Sequence, residues 1–152
     1  MKRLLIALLL LAASHPSWAE NQLLTVRSNQ AFPEAMLALQ DAIGARGYKV
    51  ARVQHVDVGL TKVGYKTDRY RIVFYGKAEE VKRLTAKYPD LIPYLPLSFS
   101  IFAELDQTLI VALDPMFLSS GYTAPELQPI FKRWSTDVRS ILAKLRKISI
   151  DE

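Results

Sequence analysis

Between Lys62 and Arg71 the chain concentrates side chains that recognise anions: Lys62, Tyr65, Lys66, Asp68, Arg69 and Arg71. Arginine offers a planar fork of donors that matches a carboxylate or phosphate. Tyrosine supplies an aromatic wall with a polar tip. Arg69 and Arg71 lie two apart, so in a strand they share one face, with Tyr70, Ile72 and Phe74 on the other. Tyr94 stands between Pro93 and Pro96 on a rigid turn, the kind of held aromatic that anchors a partner. The candidate ligand-binding set is therefore Lys62, Tyr65, Lys66, Asp68, Arg69, Arg71 and Tyr94, for a small anionic ligand. The plainer account of the same residues is a solvated loop running into the outer face of a strand, with Tyr94 in local packing.

Other chemistries find less support. His55 and Asp57 are two apart on an expected strand, an acid–base or metal pair in outline. Two ligands are too few for a stable zinc site, so a structural or surface pair is the expectation. A serine triad needs a base, and His55 is the single histidine beyond His15. Glu104, Asp106 and Asp114 offer carboxylates for glycoside cleavage but read as turn residues. The chain has no cysteine, which excludes thiol catalysis, Cys-based zinc sites and c-type haem attachment. No glycine-rich phosphate loop or dinucleotide fingerprint occurs. No metal or cofactor is expected, and no catalytic residue is assigned.

The elements that must position these groups follow from periodicity. Leu23 to Arg27 reads as a short strand, and Ser28 and Asn29 offer capping oxygens to a helix that runs to about Arg46. Its inner face carries Phe32, Met36, Leu39 and Ile43, and Gly47 ends it. Tyr48 to Val58 alternates with a phase change near Ala51–Arg52, which predicts a bulged strand. A short helical turn or loop covers Gly59 to Gly64, and Tyr70 to Tyr75 is the central strand. Ala78 to Tyr88 is a second helix, and Pro89 to Pro96 a proline-punctuated turn. Ser98 to Glu104 and Thr108 to Leu113 predict an antiparallel hairpin. The longest helix spans about 124–147, with a broad apolar stripe and an opposite side carrying Lys132, Arg133, Arg139, Lys144, Arg146 and Lys147. Helices on one face of a mainly antiparallel sheet make a two-layer α+β sandwich.

The first nineteen residues carry an address. Lys2 and Arg3 precede the apolar run Leu4 to Ala13, and Ser17-Trp18-Ala19 places small residues at a cleavage site. This predicts a signal peptide at 1–19, export to the periplasm, and one domain over residues 20–152. The run is shorter than the ~20 residues a span needs, and no transmembrane helix is expected in the mature chain. The net charge of +5 falls with the loss of Lys2 and Arg3. That mild balance, outside the cytoplasm, argues against nucleic acid.

The run of segments "VDVGLTKVGY", "RYRIVFYGK", "YLPLSFSIFAE" and "TLIVALDP" resembles the family called domain of unknown function 302, over about residues 25–118. The resemblance implies a small α/β sandwich that associates as a homodimer, and brings no established activity. Many members carry a Cys-Asn-Pro segment after the central strand and a Cys after the following Leu-Pro. Here those places hold Gly76-Lys77-Ala78 and Leu97, so no thiol role carries over.

Three functional readings stay open. The first is a non-enzymatic periplasmic module binding a small ligand or a protein, itself a homodimer or paired with an envelope protein. The second is an enzyme of unusual type acting on a small anionic substrate through Tyr65, Asp68 and Arg69. The third is an envelope protein whose C-terminal helix meets the membrane surface.

Overall fold

A computed structural model describes residues 22–148, with side chains to Arg146. The expected signal peptide lies outside the described residues. Five strands, β1 (Leu23–Ser28), β2 (Lys49–His55), β3 (Tyr70–Gly76), β4 (Leu97–Glu104) and β5 (Gln107–Leu113), form one antiparallel sheet in the order β1-β5-β4-β3-β2. The helices are α1 (Phe32–Ala45), α2 (Val56–Lys62), α3 (Ala78–Lys87) and α4 (Gln128–Ile148). Short 3₁₀ turns occupy Pro89–Tyr94 and Pro115–Ser120. The fold is α+β.

Alternation assigns each strand two faces. Val26, Val73, Tyr75, Phe99, Ile101, Ile110 and Ala112 are buried beneath α1 and α4. Their neighbours Tyr70, Ile72, Phe74, Phe102, Leu109 and Val111 turn to the helix-free face and are half-buried. Tyr75 stacks on Phe99 at 5.0 Å and meets Tyr48 edge-on at 5.4 Å. In α1, Ala35, Leu39, Ala42 and Ile43 face the sheet, and Gly47 past its end takes a φ of 74°, a left-handed value that favours glycine.

The C-terminal helix buries all of its expected stripe but Ile130. Leu127, just ahead of α4, and Phe131, Trp134, Val138, Ile141, Leu142 and Leu145 on it are in the core, with Ile130 half-buried. It starts at Gln128 rather than near Ala124, because Pro125 and Pro129 lie four apart and a proline ring clashes with the carbonyl four residues back. Polar ties fix its position. Asp137 accepts from the Tyr48 hydroxyl at 2.7 Å and pairs with Arg46 at 3.1 Å. Glu80 of α3 accepts from Trp134 Nε1 at 3.0 Å and pairs with Arg133.

Three other boundaries differ from the sequence reading. The second strand stops at His55, and Val56–Val58 open α2 instead of continuing the alternation. Asp57 then sits at the positive end of a helix and pairs with Arg71, which rewards the turn. The predicted bulge is present, as a register shift between Val50 and Arg52. In the hairpin, Gln107 joins β5 opposite Glu104, leaving a two-residue turn. The first helix starts behind Ala31, with no side-chain cap, and Ser28 Oγ accepts instead from Gln30 N–H at 3.3 Å.

Candidate functional site

The anion-recognising residues of the sequence do not converge. Lys62 ends α2, and Tyr65, Lys66, Asp68 and Arg69 follow on the loop before β3, all exposed. Arg71 is committed elsewhere: its guanidinium pairs with Asp57, donates to the Tyr70 carbonyl at 3.0 Å and lies over the Phe32 ring. The Arg71 hydrogen bond holds the Asp57 carboxyl below the ordinary carboxylate range. Tyr94 is at the other end of the sheet. Tyr70 pairs with Phe102 whereas Tyr75 pairs with Leu97, so about five residues of strand, roughly 17 Å, separate the two ends. Tyr94 packs edge-on to Phe117 at 5.6 Å and Tyr122 at 6.2 Å, where it lines a pocket of 190 Å³. The set expected from sequence is thus a loop surface and a separate aromatic turn.

His55 and Asp57 likewise part company. His55 closes β2 while Asp57 turns into α2 and takes Arg71. No cluster of three or more metal-ligating side chains occurs among the described residues.

A groove of about 1070 Å³ lies between β1 and α4, with the Pro115–Ser120 turn contributing to its lining. Gln22 and residues 23–26 of β1 line it consecutively, so the groove runs along the free edge of that strand rather than over either face. The opposite wall presents Lys132, Ser135, Arg139 and Arg146. Lys132, Arg139 and Arg146 recur every seven residues, so they form one row down the helix, spaced about 10.5 Å apart along its axis.

Among the described residues, Asp114 is the sole acidic residue of the lining. Its carboxylate accepts from Met116 N–H at 3.0 Å, which caps the 3₁₀ turn, and pairs with Arg139. Burial pushes this carboxyl up, but hydrogen bonds from Met116 N–H, Ser135 and Arg139, with the guanidinium charge, outweigh it and hold it below its usual value. One cation of the row is thereby neutralised at its base, while more than half of the Arg139 side chain remains exposed. Lys132 and Arg146 are exposed and form no ion pair among the described residues. The groove is an electropositive channel with an unpaired strand edge along one side. Among the described residues its lining holds no histidine, and its buried hydroxyl, Ser135 Oγ, lies 3.4 Å from Arg139 Nε as that donor's acceptor. The arrangement is suited to holding an anion.

Residues 24–147 match the family model described as domain of unknown function DUF302. The chain belongs to the DUF302 family. The match reaches past the expected 25–118 and takes in α4, so both walls of the groove lie inside the DUF302 domain. The fold is similar to the crystal structure of an uncharacterised conserved DUF302 protein from Bacillus stearothermophilus, with a TM-score of 0.73 over 83% of this chain and 99% of that one, at 19% identity. No curated protein matches the chain.

The two segments where the resemblance implies cysteines are neighbours here. Tyr75 pairs with Leu97 across β3 and β4, and a Cβ on Gly76 would stand 3.6 Å from Pro96 Cβ. Neither place holds a sulfur. Sequence reasoning missed the groove because its row of cations reads as an ordinary solvated helix face. The seven-residue recurrence was visible; the strand edge opposite it was not.

Proposed function

We propose that this DUF302 protein is an exported, periplasmic, non-enzymatic binding module that holds an anionic ligand in the groove between β1 and α4. The observation that carries the reading is the row Lys132, Arg139 and Arg146 on one wall of a groove whose lining, among the described residues, holds a single carboxylate, itself occupied by Arg139. The signal-like residues 1–19 support export. No helix among the described residues is long and apolar enough to cross a membrane. Native mass spectrometry of protein purified from the periplasm tests the reading together with a charge-removing variant. The expected result is extra mass that leaves on denaturation and is lost in Lys132→Gln/Arg146→Gln. A clean apo mass, with no inorganic pyrophosphate binding by calorimetry, would defeat it.

The other readings rest on thinner observations. As an anion or substrate site, the loop carrying Lys66, Asp68 and Arg69 leaves these side chains exposed, with no pocket around them shown. Membrane contact through α4 is left only its basic side, since the apolar stripe is in the core and Arg133 and Arg139 are paired internally. We also propose a homodimer through the helix-free face of the sheet, where Tyr70, Ile72, Phe74, Phe102, Leu109 and Val111 form a half-exposed apolar patch. Sedimentation of Ile72→Glu/Val111→Glu against the parent protein tests it. A parent that sediments as a monomer at high concentration removes the dimer.

A further inference from the structure

We propose that the occupant of the groove is an extended acidic peptide from a partner protein, added to β1 as a sixth strand of the sheet; this rests on the groove being the ligand site. The backbone phase of β1 supplies the first reason. Asp114 N–H donates to the Gln22 carbonyl at 2.7 Å, which makes that pair a hydrogen-bonded one. Antiparallel pairs alternate, so Leu24, Val26 and Ser28 also spend their backbone groups on β5. Leu23, Thr25 and Arg27 therefore turn N–H and C=O to the free edge, and no described backbone group bonds to them. A strand laid there satisfies these groups by main-chain hydrogen bonds.

The two edges of the sheet are treated differently. On β2 the register shift between Val50 and Arg52 breaks the edge, and Lys49 and Arg52 place charges beside it. Bulges and basic side chains are the usual protection against strand addition. β1 pairs with β5 over six residues without a shift, and its one charged side chain, Arg27, is engaged at 2.9 Å by Glu104. The guarded edge faces away from the groove and the unguarded edge lines it.

Length and charge specify the guest. β1 is about 20 Å long, and Lys132 to Arg146 spans about 21 Å of helix. The cation row and the strand edge are thus matched in length, with Arg139 paired to Asp114 level with Gln22 at the start of the edge. A strand seated on β1 sends alternate side chains toward α4, where they meet Lys132, Arg139 and Arg146 beside Leu142 and Met116. Carboxylates at alternate positions fit that wall, and lysines there are repelled.

The test uses a fluorescein-labelled peptide of alternating valine and glutamate, read by anisotropy against the purified protein. Its controls are the valine–lysine counterpart and two N-methylated forms, one methylated on the glutamates and one on the valines. One of these must remove the donors facing β1. Thr25→Pro removes an N–H at the free edge while sparing the ladder to β5, and prolines are accepted on edge strands. The expected result is binding of the glutamate peptide alone, weakened about tenfold or more by one N-methylated form, by Thr25→Pro and by Lys132→Gln/Arg146→Gln. Equal binding of both N-methylated forms overturns strand addition and leaves the anion groove standing. Pyrophosphate binding without peptide binding does the same. Failure of both ligands removes the groove as well. A dimer that Thr25→Pro dissolves assigns the edge to a second copy and overturns the peptide. If Thr25→Pro does not fold, the N-methylated peptides decide alone.

Discussion

Single residues separate what composition can say from what placement decides. Arg71 and Arg69 look equivalent in sequence, yet Arg71 is spent on Asp57 and Phe32 while Arg69 stays exposed. Residue type fixes what a group can recognise; partners distant in sequence decide whether it is free. Tyr75 makes the opposite case. It is 1% exposed, and its hydroxyl has no hydrogen-bond partner among the described residues. Burial pushes this phenol well above its usual range, with the Tyr48 phenol and the Asp137 charge adding to the effect. A buried hydroxyl without a partner carries a desolvation penalty that a benzene ring of the same shape lacks. Tyr75→Phe keeps the stacking on Phe99 and the edge contact with Tyr48. It is expected to match or exceed the parent in urea denaturation, by up to about 1 kcal/mol. A loss of stability would mean that the hydroxyl is satisfied by a group not seen here.

At the scale of elements, the strands and helices were legible because their periods are local. The 3.6-residue stripe of α4, the alternation of β3 and the phase change in β2 each lie within one element. The joint between β5, the 3₁₀ turn and α4 was not. The Asp114-Pro115 pair announces a turn, and a carboxylate accepting from the N–H two residues on is a local event. Its second partner, Arg139, lies in another element, and no pattern links the two. That joint predicts a pH dependence. Asp114 is held below the ordinary carboxylate value in the folded state. Its stabilisation is therefore complete above the unfolded pKa of about 3.9 and is lost as pH falls through the depressed folded value. Asp114→Asn should cost about 1 kcal/mol at pH 7, and the gap from the parent should close below about pH 4. Urea titrations at both pH values measure it. A gap independent of pH would place the effect in geometry rather than in the charge.

For the whole molecule, the decisive element is α4. The resemblance in sequence ended before it, yet six of its apolar side chains, Phe131, Trp134, Val138, Ile141, Leu142 and Leu145, are buried in the core, on a helix packed against α1, β1 and the Pro115–Ser120 turn. Each such burial is worth about 1.5–3 kcal/mol, so together they rival the roughly 5–15 kcal/mol of net stability typical of a domain. A sheet stripped of α4 would expose that inner face to water and lose the ties at Asp137 and Glu80. The helix is thus a wall of the core before it is a wall of the groove, and its basic row is held in place by its apolar one. Two outcomes are expected. The chain ending at Pro125 should give no cooperative urea transition and should aggregate. In the intact protein, Trp134 fluorescence, which reports on α4, and far-UV circular dichroism, which reports on the whole backbone, should change together in one transition. If fluorescence changed first, with the dichroism largely retained, α4 would be a detachable arm on a sheet that folds without it. The groove would then form only when the arm closes.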